Sequence, residues 1–204
     1  MVLKLVIKLK LMTMTNYKPM YLSRGIWELW HEKTWDDYIH PFYKNEVIKL
    51  VEENTTSNVL LYGDNGLGKS MLMNLAMKDF IHKGKEVYVI DFRNLVKEYT
   101  KSWRDEGKLG KIMMAEYLAI DDLGKEFSAG DVSKELATTA LDYVLRYRFQ
   151  RKLSTWMTFN MKLNEIAECY NAHISSLLKR SSVAIAFEGE DYGDKLFKKI
   201  TKKK

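Results

Sequence analysis

The sequence predicts an α/β fold of three layers, in which five parallel strands form a sheet and helices cover both of its faces. Two observations lead to this prediction. Five short apolar runs, each as long as a buried strand, alternate with longer segments of helical spacing. The first run ends in a glycine-rich stretch, Gly63–Ser70, which leads directly into one of these helices. In such folds ligands bind where the parallel strands end, so the polar residues at strand ends are the candidate site residues.

The glycine-rich stretch reads GDNGLGKS and fits the pattern G-x-x-x-x-G-K-[ST] of a P-loop. It lies between a predicted strand at 58–62 and a predicted helix that starts at Met71, which is the setting that this motif requires. Glycines allow backbone N–H groups to turn inward around phosphates, and the helix N-terminus adds positive potential. The sequence therefore predicts a nucleoside triphosphate site. Its binding residues are Gly63, Asp64, Asn65, Gly66, Leu67, Gly68, Lys69, Ser70 and Met71.

Carboxylates end the third predicted strand, at 116–124, where Asp121 and Asp122 are adjacent. Neighbouring side chains on a strand point to opposite faces, so both can serve one site only where the backbone turns. We predict that Asp121 and the Ser70 hydroxyl hold Mg²⁺, and that Asp122 polarises the attacking water. Lys69 is predicted to contact the β- and γ-phosphates.

A fourth predicted strand, at 154–160, ends at Asn160. An amide at this position could orient the attacking water or contact the γ-phosphate, which makes Asn160 the third candidate catalytic residue beside Lys69 and Asp122. Because turns also favour asparagine, the residue type alone is weak support for this role.

The segment at 92–106, which follows a second predicted strand at 87–91, has two distinct faces at helical spacing. The apolar face consists of Phe92, Leu95, Val96, Tyr99 and Trp103. The other face carries only positive charges, although acidic residues nearby reduce the net charge. A charged stripe is commonly just a solvated helix face, and this alternative stays open. Because the stripe has one sign of charge, we predict that it follows the phosphate backbone of single-stranded DNA. Its residues are Arg93, Lys97, Lys101, Arg104 and Lys108.

The net charge of +6 does not by itself indicate a nucleic-acid partner. Nine of the 33 basic residues are lysines in segments 1–11 and 195–204, which contain no acidic residue, so the rest of the chain holds 24 basic and 27 acidic residues.

One cysteine excludes an internal disulfide and favours a reducing compartment such as the cytoplasm. No apolar run approaches the roughly 20 residues of a membrane span, so we predict no membrane association.

We predict three regions along the chain: an N-terminal extension at 1–20, an ATPase domain at 21–194 and a basic tail at 195–204. Residues 1–11 alternate like a strand, and they form either an edge or docking strand or a mobile tail. A third alternative is an upstream start, with the domain beginning near Met12 or Met14. Residues 24–43 are dense in aromatics, which either stack on an adenine or cap the core. Too little sequence follows Tyr192 for a C-terminal helical lid, and we predict none.

The remaining predicted elements follow from periodicity. A helix at 45–53 precedes the first strand, and two short helices at 163–170 and 172–180 precede a fifth strand at 183–187. A longer helix at 133–150 is predicted to point Leu136, Ala140, Tyr143, Val144 and Tyr147 inward.

Residues 120–126, IDDLGKE, resemble the IDDLGxE signature of the DnaC/DnaI/IstB family of AAA+ ATPases. Residues 147–152, which lead to Asn160, are similar to that family's approach to its sensor 1 asparagine, and residues 187–192 are similar to its closing strand. The resemblance covers about residues 24–193. It implies an AAA+ type P-loop NTPase that uses ATP and Mg²⁺. It also implies single-stranded DNA binding through an inserted helix after the second strand, where the basic stripe lies.

The resemblance further implies a replicative helicase loader of a bacterium or phage, with a hexameric helicase as partner and self-association through AAA+ contacts. Two alternatives stay open: an IstB-like transposition ATPase, and a nucleotide-dependent scaffold with little hydrolysis. The family's arginines before the last strand correspond here to His173 and Leu177, and Gly193 replaces a terminal arginine. An arginine finger contributes roughly 10³–10⁵ in rate, so weak intrinsic hydrolysis is expected.

Overall fold

Strand β1, which precedes the glycine-rich loop, lies inside a sheet of five parallel strands. The computed structural model describes residues 17–104, 107–124 and 133–189. The order across the sheet is β2-β3-β4-β1-β5, and every neighbouring pair is parallel. The strands are β1 Asn58–Gly63, β2 Val87–Asp91, β3 Tyr117–Leu123, β4 Ser154–Phe159 and β5 Ser182–Phe187. The predicted parallel sheet is confirmed, and each strand lies within one residue of its predicted bounds.

Helices cover both faces of the sheet through two separate clusters of buried apolar side chains. On β1, Leu60 belongs to one cluster and Val59 and Leu61 to the other, as the alternation of strand side chains requires. The predicted three-layer arrangement is therefore confirmed. The helices are α1, described at 17–23, α2 Glu28–His31, α3 Pro41–Glu52, α4 Lys69–His82, α5 Phe92–Lys101, α6 Gly107–Met114, α7 Lys134–Gln150, α8 Leu163–Cys169 and α9 Ala172–Ser181, with a 3-10 turn at Trp35–Asp37.

The segment after β2 differs from its prediction. Periodicity indicated one helix at 92–106, but α5 ends at Lys101 and α6 begins at Gly107. Trp103 was placed on the apolar face by extending helical spacing past this end, and it is instead 69% exposed. Beyond the last helical residue, the 3.6-residue period no longer sets the direction of a side chain. The prediction for Trp103 was wrong for this reason.

Helix α7 also departs from simple periodicity. Ala140 and Val144 are buried as predicted, but Tyr143 is 48% exposed, and the fully buried side chain one turn from Val144 is Arg148. The Arg148 guanidinium donates to the backbone oxygens of Met113 and Ala115, each at 2.8 Å, at the end of α6. Burial lowers the pKa of Arg148 to about 9, which leaves it protonated at neutral pH. A cation thus ties α6 and α7 together in the interior.

The segment before α3 packs along α4. The buried Lys78 ammonium of α4 donates to the carbonyl oxygens of Trp30 and His31 at 3.0 and 2.9 Å. The Trp35 indole donates to the Asp79 carboxylate at 2.9 Å. Part of the aromatic cluster at 24–43 therefore packs against the domain core, while a contact with adenine stays a prediction. In the described ranges, none of the helices is long and apolar enough to cross a membrane.

The predicted terminal segments 1–11 and 195–204 lie outside the described residues, as do residues 125–126 and 190–193 of the family resemblance. The boundary predicted between residues 20 and 21 falls within α1.

Candidate functional site

The glycine-rich loop leaves β1 at Gly63 and enters α4 at Lys69. Gly63 has a φ of 126°, and a Cβ there would lie 2.1 Å from the carbonyl oxygen of Phe187 on β5. Gly68 has a φ of 79°, and its Cβ would meet the Tyr38 ring at 2.6 Å. Both positions therefore exclude a side chain, because the adjoining elements close directly onto the loop backbone.

The Tyr38 side chain is hydrogen-bonded to the backbone of this loop. The buried Tyr38 hydroxyl donates to the carbonyl oxygen of Leu67 at 2.9 Å, and burial raises the pKa of this phenol, so it stays a neutral donor. In a trans peptide the C=O and the following N–H point in opposite directions. Tyr38 therefore fixes the Leu67–Gly68 peptide so that the Gly68 N–H points away from the phenol. Sequence reasoning grouped Tyr38 with the aromatic cluster and missed this role.

Lys69 is the first residue of α4 and is almost completely buried. Its ammonium donates to the backbone oxygens of Gly63 and Asp64, at 2.9 and 2.5 Å. The positive charge thus lies inside the loop, where a phosphate would be surrounded by backbone N–H groups and by the α4 N-terminus.

Asp121 connects the loop to two strands. Its Oδ1 accepts from the Ser70 hydroxyl at 2.8 Å and from the Thr158 hydroxyl at 2.5 Å. Burial raises the pKa of Asp121, and these two hydrogen bonds oppose that shift by favouring the carboxylate. Thr158, which was not predicted as a site residue, is a polar residue two positions before Asn160. That spacing places both residues on one face and was the available signal.

A β-bulge lets both carboxylates reach one site. Ile120 pairs with Met157 and Leu123 with Phe159, so β3 has one residue more than β4 between these pairs. Asp122 lies in this irregularity with a φ of 61°. The sequence required a backbone turn for Asp121 and Asp122 to serve one site, and the bulge supplies it.

Asn160, directly after β4, is hydrogen-bonded to Asp122. Its amide Nδ2 donates to Asp122 Oδ1 at 3.0 Å, and the Asp122 N–H donates to the Thr158 hydroxyl at 2.9 Å. Strand β4 lies between β3 and β1, which places Asn160 next to the end of β3. The structure therefore brings Ser70, Asp121, Asp122 and Asn160 into one hydrogen-bonded set beside the loop that holds Lys69.

The donor set fits a magnesium ion. The Ser70 hydroxyl and the Asp121 carboxylate are oxygen ligands, which Mg²⁺ prefers. Magnesium sites of this kind keep several water or phosphate ligands, so few protein carboxylates are required.

The basic stripe is not part of this hydrogen-bonded set. Its five residues all lie on the exposed surface of α5, α6 and the turn between them. Two of them are held by one carboxylate: Glu98 Oε1 lies 3.0 Å from the Lys101 ammonium and 3.7 Å from that of Lys108.

The positions that correspond to the family's arginines lie on α9. His173 is exposed, and Leu177 packs partly buried against the core. The nearby Arg180 guanidinium donates to the Ser176 hydroxyl of its own helix at 2.6 Å.

Comparison with known proteins shows the fold. The sequence matches no protein-family profile and no curated protein sequence. Among solved structures, the DnaC helicase loader superposes with a TM-score of 0.69 over 79% of this chain and 100% of its own, at 18% identity. DnaI superposes with a TM-score of 0.65 over 78% of this chain and 90% of its own, also at 18% identity.

A replication initiator DnaA bound to AMPPCP and single-stranded DNA superposes with a TM-score of 0.62 over 83% of this chain, at 15% identity. The chain spans 54% of that DnaA chain. At this level of identity the likeness shows the fold alone, which this chain shares with DnaC, DnaI and DnaA. The predicted resemblance to DnaC and DnaI is thereby confirmed for the fold.

Proposed function

We propose that this protein is an AAA+ ATPase that acts in DNA replication as a loader of a hexameric helicase onto single-stranded DNA. The observation that carries the proposal is the hydrogen-bonded set that joins Ser70 of the glycine-rich loop to Asp121, Asp122 and Asn160. The similarity to DnaC, DnaI and DnaA supports the choice of a replication protein. In this proposal the ATPase domain is 21–194, and the protein works in the cytoplasm of a bacterium or phage-infected cell.

The proposed ATP site assigns each side chain one task. Backbone N–H groups of residues 63–71 surround the phosphates, and the Lys69 ammonium binds the β- and γ-phosphate oxygens. Ser70 and Asp121 hold Mg²⁺, which neutralises phosphate charge when it is bound. Asp122 accepts a proton from the attacking water, and the Asn160 amide holds the Asp122 carboxylate in place for that step.

Single-stranded DNA is proposed to bind along the basic stripe of Arg93, Lys97, Lys101, Arg104 and Lys108. All five side chains are exposed, so phosphates can reach them without a rearrangement of the core. Each neutralised phosphate releases a condensed cation, so the affinity should fall steeply as the salt concentration rises.

Reversing two charges of the stripe, in a Lys97→Glu/Lys101→Glu variant, is expected to abolish detectable binding of single-stranded DNA and to leave ATP affinity unchanged. Both lysines project from the exposed side of α5, and a glutamate at 101 would also lie beside Glu98. Fluorescence anisotropy of a labelled oligonucleotide measures the first quantity, and titration calorimetry with ATP–Mg²⁺ measures the second.

A matched control for this variant is Lys49→Glu/Lys179→Glu, which changes the net charge equally at two exposed lysines on α3 and α9. This control should bind DNA nearly as the wild type does. If the stripe variant keeps wild-type DNA affinity, the stripe is a solvated helix face, and the proposed binding of single-stranded DNA along it is wrong.

Hydrolysis by the isolated protein is proposed to be slow, because Leu177 is packed against the core and Arg180 is hydrogen-bonded within its own helix. An arginine from the partner would supply the missing charge.

The decisive experiment for the function is capture of the partner. The tagged protein is purified from its native host in ATP–Mg²⁺, and phosphate release is then measured with and without the captured protein and single-stranded DNA. We expect a hexameric replicative helicase to co-purify and to raise the rate of hydrolysis. Lys69→Ala protein processed in parallel is the control for nucleotide-dependent capture.

Two results would contradict the loader proposal, and a third would contradict the slow hydrolysis proposed for the isolated protein. Binding of duplex DNA without helicase capture would favour an IstB-like transposition ATPase. ATP binding without phosphate release, even with DNA and partner present, would favour a nucleotide-dependent scaffold. Rapid hydrolysis by the purified protein alone, unchanged by Arg180→Ala, would show that no partner arginine is needed.

A further inference from the structure

The exposed indole of Trp103 lies in a basic groove that the proposed ATP site does not use. The groove has a volume of about 600 Å³ and lies where α5 ends and α6 begins. Its lining residues are Glu98, Thr100, Lys101, Trp103, Arg104 and Lys108. We propose that Trp103 is a stacking platform for an unpaired base of single-stranded nucleic acid, whose backbone lies along the cations of this groove. This inference rests on the single-stranded DNA binding that is part of the proposed function, and it adds a base-binding residue to the basic stripe.

The Trp103 ring packs against one aromatic neighbour. Tyr99, one turn earlier, meets it in a T-shaped contact with 6.0 Å between ring centroids. Tyr99 itself packs against the buried core and lies 5.5 Å from the Tyr143 ring. The indole therefore packs against an aromatic side chain that is itself supported by the core. A contact that limits its rotamers before binding reduces the conformational freedom that is lost when a base stacks on it.

Among the described residues that line the groove, positive charges outnumber negative ones. Glu98 has a side chain that is only 12% exposed, and it lies within 4 Å of the Lys101 and Lys108 ammonium groups, which are both more than half exposed. It therefore holds both lysines at the groove. With Arg104, three cations face one carboxylate among the described residues. The acidic residues Asp105 and Glu106 lie outside the described residues.

The combination of an aromatic ring and cations selects single strands over duplexes. A stacking ring needs the open face of a base, and a duplex buries both faces of its bases while it leaves the phosphates accessible. Cations alone would bind both forms of DNA. An acidic protein surface is the rival occupant, since tryptophan is also frequent at protein interfaces.

The test compares Trp103→Ala and wild type by fluorescence anisotropy with a labelled oligothymidylate of about 20 nucleotides. We expect the alanine variant to bind about tenfold more weakly or worse, because it loses the stacking of one base on the indole. Trp103→Phe should keep most of the affinity. The slope of log affinity against log salt should stay unchanged in both variants, because the phosphate contacts remain.

Two controls sharpen this result. Trp27→Ala removes a tryptophan that is 45% exposed and does not line the groove, and it should bind like the wild type. An abasic oligonucleotide of equal length offers phosphates without bases, and on it the wild type and Trp103→Ala should bind equally. Unchanged thermal melting and ATP affinity of Trp103→Ala show that the variant is folded.

The outcomes separate this inference from the proposed function. If the wild type binds oligothymidylate and Trp103→Ala binds it equally well, the stacking role is wrong and the DNA arm of the proposed function remains. If the wild type binds no single-stranded DNA, both are wrong. If Trp103→Ala loses capture of the helicase but not affinity for the oligonucleotide, the groove is a protein-docking site and the inference is overturned.

Discussion

Replacing Arg148 with leucine is expected to lower the free energy of unfolding by roughly 3–5 kcal/mol. The side chain is fully buried, and its guanidinium donates to the backbone oxygens of Met113, Ala115 and Ser154 and to the Thr155 hydroxyl. Leucine would fill much of the space and leave these acceptors without a donor inside the protein, where no water replaces the lost hydrogen bonds. The ends of α6 and β4 would lose their shared link to α7.

Urea denaturation followed by circular dichroism measures this effect. The matched control is Arg151→Leu, three residues later, where an exposed guanidinium lies 3.6 Å from the centre of the Tyr147 ring. That change should cost less than about 1 kcal/mol. Arg148→Lys keeps the charge without the planar fork of donors and should fall between these values, which makes it measurable even if the leucine variant is insoluble. A loss below about 1 kcal/mol for Arg148→Leu would contradict the prediction.

Replacing Lys69 with alanine is expected to weaken ATP binding by on the order of 100-fold or more. The ammonium is held inside the loop by the carbonyl oxygens of Gly63 and Asp64, so it is already positioned for phosphate oxygens. Hydrogen bonds between charged groups are stronger than neutral ones, and the loop offers no second side-chain cation. Titration calorimetry with ATP–Mg²⁺ measures the affinity directly.

The control for Lys69→Ala is Lys83→Ala, at the other end of α4. The Lys83 ammonium also donates to a backbone oxygen, that of Val51, but lies a full helix length from the loop. Lys83→Ala should keep wild-type ATP affinity. If Lys69→Ala binds ATP as the wild type does, the glycine-rich loop is not the phosphate site, and the proposed ATPase function fails at its first step.

Local chemistry made much of the fold predictable. Strand β2 was predicted at its observed bounds, and β1, β3, β4 and β5 within one residue of theirs. A short apolar run between polar turns fits a buried strand better than another element. The start of α3 was missed because its first turn lacks the apolar spacing that identified the rest. Pro41 at the first helical position was the overlooked signal.

Side-chain environments were less predictable than elements. Periodicity predicted that Tyr143 on α7 points into the core, and it gave no role to Arg148. In the structure the tyrosine is exposed and the arginine is buried. The reason is that Arg148 finds backbone acceptors from α6 and β4, which are distant in the sequence. A pattern of hydrophobicity along one helix contains no information about acceptors that other elements bring.

In the candidate site, too, the sequence predicted the residues, whereas only the structure shows how they are arranged. The sequence alone predicted the glycine-rich loop with Lys69 and Ser70, the two carboxylates at one strand end and Asn160 at another. Each of these predictions rests on a short motif and its flanking elements. Only the tertiary structure decided that β4 lies between β3 and β1, and that a bulge turns Asp122 toward Asn160. Parallel strands are joined by long crossovers, so their order depends on packing across the whole sheet and is not written in any local pattern.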